Sequence, residues 1–95
     1  MAIWVNVKEA RHHLLEKGFV YTLRPKLRRE GRDMLCWNGF GKKGMGAIKL
    51  VKEIEDTDEL KEFVKKSGFN SIADWLEKAK ESRFLFRLEL ISLEN

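Results

Sequence analysis

The last apolar stretch of the chain, FLFRLELI at residues 84–91, constrains the fold more than any other segment. Large apolar side chains stand at every second position: Phe84, Phe86, Leu88 and Leu90. This is the side-chain period of a β-strand, whose neighbouring residues point to opposite faces. The reverse orientation would expose the rings and bury Arg87 and Glu89, which costs free energy when charges lack partners. We expect the same core to contain four further apolar residues: Ile48, Leu50, Met34 and Leu60.

Four other segments have the composition or the alternation of β-strands. They are residues 3–5, 19–24, 33–37 and 47–55. The first is short and apolar, as an edge strand would be, and the second is rich in β-branched and aromatic residues. Residues 38–46, which contain four glycines, separate the third strand from the fourth and predict a hairpin connection.

A helix is expected between the first two of these strands. Asn6 and Glu9 have the spacing of a capping box, in which two side chains bond the free backbone N–H groups of the first turn. Residues 7–17 keep an approximate helical period of apolar side chains. Gly18 then ends the helix, because glycine readily adopts the left-handed conformation common just after a helix.

Two more helices are indicated before the last strand. Asp56 is the expected N-cap of the first, which Gly68 ends. Ser71 is the expected N-cap of the second, whose apolar residues are Ile72, Trp75, Leu76 and Ala79. The order of strands and helices predicts one α+β domain over all 95 residues, built as a small curled sheet or barrel.

Cysteine, histidine and apolar content exclude several classes of protein. Cys36 is the only cysteine, which rules out an internal disulfide framework, and two histidines are too few for a typical four-ligand zinc site. No apolar run approaches the roughly 18 residues of a membrane span, and the first residues lack the apolar core of a signal peptide. We therefore expect a cytoplasmic protein without a membrane, metal or cofactor. The lack of glutamine and the 36% of charged residues favour a thermophilic source.

Charge is distributed unevenly along the chain. Residues 1–52 contain twelve lysines and arginines against four acidic residues, whereas residues 53–95 contain seven against eleven. The first part therefore carries +8 and the second −4, which together give the net charge of +4. A basic part of this kind favours a polyanionic partner, and the acidic part disfavours indiscriminate coating of nucleic acid.

The basic charge is concentrated in one loop. Residues 24–32, RPKLRREGR, carry five cations: Arg24, Lys26, Arg28, Arg29 and Arg32. Guanidinium groups bind phosphate through two parallel hydrogen bonds, so four arginines among five cations favour a phosphate-rich partner. Lys42 and Lys43 form a second basic cluster in the glycine-rich connection. The alternative interpretation is a solvated turn between two strands.

Aromatic residues flank this basic loop on both sides. Tyr21 precedes it and Trp37 follows it. Bases that stack on such rings contribute about 1–3 kcal/mol each, which would suit a nucleic-acid surface. Both rings would also suit the core of the domain, and the sequence leaves that alternative open.

Three segments, taken in their order and spacing, resemble one known family. Residues 17–24 contain a helix end and a strand that enters the basic loop, residues 30–35 read EGRDML, and residues 68–76 read GFNSIADWL. Together they are similar to an ASCH-type domain of the PUA-like superfamily, as a small, archaeal-type, stand-alone member. The resemblance covers nearly the whole chain.

The resemblance implies a PUA-like small β-barrel with helices packed on one side and a cleft beside the first helix. The family's motif in that cleft, G-x-K-x-x-[E/T]-x-R, matches this chain at Thr22 and Arg24. Phe19 stands at the position of the family's lysine, and Lys17 at that of its glycine. Lys17, Thr22 and Arg24 are therefore the expected cleft residues, because Lys17 can reach in from the end of the helix.

The presence of Phe19 at the position of the family's lysine bears on catalysis. Some members of the family resemble hydrolases of modified nucleosides, and they use that lysine with the threonine and a carboxylate. An activated threonine needs a neighbouring base, which Phe19 cannot supply. Glu53 and Glu55 are candidate carboxylates, but nothing in the sequence brings them near Thr22. The sequence therefore favours a protein that is not an enzyme.

These observations favour a nucleic-acid-binding module, with RNA preferred over DNA as the partner. We expect a monomer or a weak dimer. Two alternatives stay open: an ASCH-type hydrolase acting on a modified nucleoside or RNA, and a small domain that binds a nucleotide-like ligand. Catalytic turnover would reveal the hydrolase, and binding of a mononucleotide without dependence on oligonucleotide length would reveal the ligand-binding domain.

Overall fold

A computed structural model describes residues 2–37 and 42–94 of the chain. It contains five strands: β1 Ala2–Trp4, β2 Phe19–Arg24, β3 Gly31–Cys36, β4 Gly44–Glu53 and β5 Phe84–Leu93. It contains two α-helices: α1 Lys8–Lys17 and α2 Ile72–Ala79. Two short 3₁₀ helices lie between β4 and α2: Thr57–Leu60 and Val64–Lys66. Neither α-helix in this part of the chain is long and apolar enough to cross a membrane.

The strands form one sheet in the order β1-β3-β4-β5-β2. β1 pairs with β3 in parallel, with Ile3 opposite Leu35, and all other neighbouring strands are antiparallel. The sheet curls into a half-barrel whose two edge strands, β1 and β2, are connected in sequence by α1. The expected α+β class is therefore confirmed, and so is the expectation of a curled, barrel-like sheet.

One face of β5 has the predicted register. Phe86 and Leu88 are fully buried, and Phe84 and Leu90 pack against the same cluster. We call this cluster the first core; it consists of Ile3, Val5, Ala10, Leu14, Val20, Leu35, Ile48, Phe86 and Leu88. The expected position of Ile48 is confirmed, and Leu50 packs at the edge of this core.

The other face of β5 is also buried, which the alternation did not predict. Leu85 is fully buried in a second core, which consists of Ile54, Leu60, Val64, Phe69, Trp75 and Leu85. Leu60 therefore belongs to a different core from the one expected. The prediction for Met34 is wrong, because Met34 is 42% exposed. It neighbours the buried Leu35 on β3, so its side chain points to the opposite face.

Several element boundaries differ from the predicted ones. Val7, rather than Asn6, is the N-cap of α1, and no side chain caps this helix. Asp56 accepts a hydrogen bond from Asp58 as a cap should, but the segment it begins forms two 3₁₀ helices instead of one α-helix. The buried hydroxyl of Ser67 donates to the Val64 carbonyl and accepts from the Phe69 N–H. Such local side-chain bonds compete with helix continuation.

The connection between β3 and β4 lies partly outside the described residues, which omit 38–41. Gly44 and Gly46 were expected in this connection but already belong to β4. Gly18 has φ +86° and ends α1, and Ser71 caps α2 by accepting from the Asp74 N–H at 3.1 Å, both as predicted. These two caps orient α1 and α2 relative to β2 and β5.

Glu59 stabilises the start of the first 3₁₀ helix. Its carboxylate accepts hydrogen bonds from the N–H groups of Asp56 and Glu55, each at 2.9 Å, and pairs with the Lys52 ammonium. The Asp56 N–H above all, then Lys52 and the Glu55 N–H, lowers the pKa of Glu59 to about 2.

We expect this carboxylate to make stability depend on pH in the acid range. Its pKa is lowered on folding, so its stabilising contribution is present above about pH 4.5 and is lost as the pH falls through about 2. Urea unfolding at neutral pH and at about pH 2 should therefore show a smaller acid loss for Glu59→Gln than for the wild type. Exposed Glu81→Gln is the control and should follow the wild type. An equal loss in all three proteins would contradict this role.

Candidate functional site

A cleft opens where the two edge strands of the half-barrel approach each other. Its volume is about 180 Å³. The buried side chains of Val5, Ala10, Phe69 and Trp75 line its inner part, and Trp4, which is 43% exposed, lines its rim. The cleft therefore lies at the junction of the two cores, beside the start of α1, and most of its wall is apolar.

Two polar side chains enter this apolar cleft from β2. Val20, Thr22 and Arg24 share one face of the strand because strand side chains alternate. Val20 belongs to the first core, so the next two side chains on that face reach the cleft. The Thr22 hydroxyl and the Arg24 Nε are both shielded from solvent and have no hydrogen-bond partner among the described residues. Buried polar groups are nearly always paired, so two orphans in one cleft are unusual.

The Arg24 guanidinium also bridges the two edge strands. Its Nη2 donates to the Trp4 carbonyl at 3.0 Å, which joins the end of β2 to the end of β1. Burial, and secondarily the charge of Arg28, lowers the pKa of Arg24 to about 10, so Arg24 remains a cation at neutral pH. A carbonyl partner relieves part of the cost of burying a charge, while Nε has no partner among the described residues.

Arg28 holds the basic loop against the sheet. Its Nη1 donates to the Ala2 carbonyl and its Nη2 to the Asp33 carboxylate, both at 3.2 Å, and its Nε donates to the Arg29 carbonyl at 3.0 Å. The Met34 N–H, and in addition Arg28, lowers the pKa of Asp33. The structure thus places Arg28, expected to contact phosphate, in a position where three of its five N–H donors are already used.

The remaining cations differ in how freely they can contact a partner. Lys26, Arg29 and Arg32 are exposed, and within residues 2–37 and 42–94 none of them forms an ion pair. Lys42 pairs with Glu94 at 3.0 Å, and the backbone of Lys43 continues the sheet pairing beyond β4. The exposed charge of the loop is therefore carried by Lys26, Arg29 and Arg32.

Lys17 does not line the cleft. It lies at the end of α1, is 57% exposed in its side chain and is 3.6 Å from the Glu16 carboxylate. The start of α1, and not its end, borders the cleft through Asn6 and Val7. Of the three residues expected in the cleft, the structure brings together Thr22 and Arg24 only.

The two expected aromatic residues are both half-buried. Tyr21 packs against Phe63 with ring centroids 5.0 Å apart, and the Lys66 ammonium lies 5.9 Å from its ring centroid. Trp37 packs against the first core. Trp4 is the aromatic residue that sequence reasoning missed. The alternation of residues 3–5 was the available signal, since Ile3 and Val5 are buried and the residue between them must point outward.

Among the described residues that line the cleft, no carboxylate or histidine stands beside Thr22, and Lys78 is the lysine of that lining. Phe19, at the family's lysine position, packs its ring edge-on against His13 and Tyr21. Glu53 and Glu55 are not among the residues that line the cleft, and the described lining contains no carboxylate or histidine. Within the same ranges, no group of three or more histidine, cysteine or acidic side chains is placed to hold a metal ion.

No family model matches the chain, and searches of curated proteins and of solved structures return no match. The function of the cleft and of the basic loop therefore has to be inferred from their own chemistry.

Proposed function

We propose that this protein is a nucleic-acid-binding module whose partner is RNA, which it contacts through the cleft and the basic loop. The observation that carries the proposal is the pair of buried, unpartnered polar atoms, Thr22 Oγ1 and Arg24 Nε, in a cleft beside exposed cations. An unsatisfied buried polar group costs about 1–3 kcal/mol, so a ligand that supplies the missing partner gains affinity there.

The exposed cations supply the part of the binding that does not depend on sequence. Lys26, Arg29 and Arg32 are free to contact phosphates, and each contact releases condensed counterions from the nucleic acid. Because Arg28 fixes the loop to β1 and β3, these cations are presented without a large loss of backbone entropy on binding.

The dimensions of the cleft limit its occupant to one group of about the size of a single ring or smaller. An apolar cavity of about 150 Å³ accommodates benzene, and the cleft measures about 180 Å³. The exposed ring of Trp4 at the rim offers a stacking surface. A base can stack on the Trp4 ring at this rim only when it is unpaired, which favours a single-stranded partner. The resemblance to the PUA-like superfamily, which is associated with RNA, supports RNA over DNA.

A second candidate function is a domain that binds a small nucleotide-like ligand. The one-ring size of the cleft favours it, because a free mononucleotide would occupy the same space. The two functions differ in their dependence on length, since only an RNA-binding module gains affinity as an oligonucleotide reaches the loop. The hydrolase alternative would need a carboxylate as well as a base beside Thr22; the described lining offers Lys78 as a candidate base but contains no carboxylate.

The decisive experiment is a salt titration of binding to a short single-stranded RNA. We expect Lys26→Ala/Arg29→Ala to weaken binding at every salt concentration. The slope of log affinity against log salt should shrink by about 1.4, because each phosphate contact on a single strand contributes about 0.7. The matched control, Lys61→Ala/Lys65→Ala, removes two exposed cations from the acidic part of the chain and should keep the wild-type slope. An unchanged affinity and slope in the loop variant would show that the loop is only a solvated turn.

A further inference from the structure

The start of α1 opens onto the same cleft as Thr22 and Arg24. Asn6, Val7 and Ala10 line it. The first N–H groups of a helix have no acceptor within the helix, and the N-cap Val7 has no side-chain oxygen to offer them. The end of a helix that carries these groups attracts anions through its partial positive charge.

The side chains around this helix start point to the same class of ligand. Thr22, which is only 8% exposed, lines the cleft and has a shielded hydroxyl without a partner among the described residues, and Arg24 adds a shielded, unpartnered Nε–H and a positive charge. Lys78 contributes a further cation to the wall. Glu9 stands in the first turn of α1, but it is not among the described residues that line the cleft, and that lining contains no carboxylate. The donors and the charge are both complementary to an anion with several acceptor oxygens.

We infer that the inner part of the cleft binds a phosphate monoester, and that the monoester is the one at the end of an RNA strand. This inference rests on the proposed RNA binding and adds that the protein recognises a strand end. A phosphodiester inside a strand continues in two directions, whereas a cleft with the buried residues Phe69, Trp75 and Ala10 in its wall favours a group that enters from the open side and ends there. A monoester carries a charge of about −1.5 to −2 at neutral pH and presents three acceptor oxygens. These oxygens can accept hydrogen bonds from Thr22 Oγ1, from Arg24 Nε and from the first N–H groups of α1.

The test compares three forms of one short fluorescent RNA, with a 5′-phosphate, with a 3′-phosphate, or with hydroxyl groups at both ends. We expect one of the phosphorylated forms to bind the full chain about tenfold more tightly than the hydroxyl-ended form at the same salt concentration. The phosphorylated RNA that binds more tightly identifies which end of the strand is recognised. Thr22→Val should reduce the ratio of the two affinities, phosphorylated over hydroxyl-ended, to about one. Thr22→Ser keeps the hydroxyl and should retain most of the tenfold difference. Thr57→Val, at an exposed threonine outside the cleft, is the control and should keep the wild-type ratio.

Failure of this inference differs from failure of the proposed function. Equal affinity of the wild type for the three forms would overturn strand-end recognition, and salt-dependent binding of all three would still support RNA binding. If no oligonucleotide binds, both are overturned. Inorganic phosphate and 5′- and 3′-nucleoside monophosphates serve as competitors. If a mononucleotide binds and no oligonucleotide does, the bound phosphate does not come from the end of an RNA strand. That result would overturn the inference and favour the domain that binds a small nucleotide-like ligand.

Discussion

Replacement of Trp75 by alanine is expected to lower the free energy of unfolding by about 3–5 kcal/mol. Trp75 is 2% exposed and belongs to the second core, where its ring stacks on Phe69 with centroids 6.5 Å apart and an angle of 14° between the planes. Alanine would remove the buried ring that α2 contributes to the second core and would leave a cavity that neighbouring side chains fill only in part.

Chemical denaturation of three variants separates this effect from the general loss of a tryptophan. Trp75→Phe keeps an aromatic ring in the second core and should lose clearly less stability than Trp75→Ala. Trp4→Ala removes a tryptophan that is 43% exposed and should lower the free energy of unfolding clearly less than Trp75→Ala does. A Trp75→Ala protein that unfolds within about 1 kcal/mol of the wild type would contradict the central place of this ring.

The second large effect is expected at Gly68, which joins the 3₁₀ segment to α2. Gly68 has φ +89°, and a Cβ added there would lie 2.2 Å from the backbone oxygen of Glu9 and 2.7 Å from its carbonyl carbon. Both atoms belong to the first turn of α1, so they cannot move away without shifting that helix. We expect Gly68→Ala to cost about 2–5 kcal/mol, from left-handed backbone strain and from the steric conflict together.

Gly18→Ala is the matched control for this prediction. Gly18 has φ +86°, almost the same as Gly68, but no atom lies within 4 Å of an added Cβ. Its substitution should therefore cost only the conformational strain, about 1–2 kcal/mol. Thermal or urea unfolding of the two variants isolates the steric part as their difference. Equal losses would show that Gly68 does not hold α1 and the 3₁₀ segment in close contact.

Local patterns in the sequence predicted most of the strands, and they failed where a second layer covers the sheet. Alternation in residues 84–91 predicted the burial of Phe86 and Leu88 correctly. It could not predict the burial of Leu85, because alternation shows which side chains share a face and does not show what covers the opposite face. Met34 was misplaced for a related reason, since the pattern of β3 does not indicate which of its two faces meets the first core.

The candidate site was predictable to a similar extent. A strand over residues 19–24 already places Thr22 and Arg24 on one face, so their joint position in the cleft follows from the period of two. The role of Arg28 was not predictable, because its partners Ala2 and Asp33 are brought to it only by tertiary structure. The same holds for the helix start at the cleft, which depends on how α1 packs between the edge strands.

The pairing of β1 has a consequence for the linkage between ligand binding and local opening. β1 contributes three residues to a single ladder with β3, more than thirty positions further along the chain, and its carbonyl groups are the acceptors for two guanidinium groups, those of Arg24 and Arg28. The same short strand supplies Trp4 to the rim of the cleft. Detachment of β1 would therefore remove one wall of the cleft and the partner of Arg24 in a single step. A ligand that needs the intact cleft must oppose that detachment by mass action, by about 2.7 kcal/mol when its concentration is a hundred times its dissociation constant. A ligand bound in the cleft would therefore make detachment of β1 from the sheet less frequent.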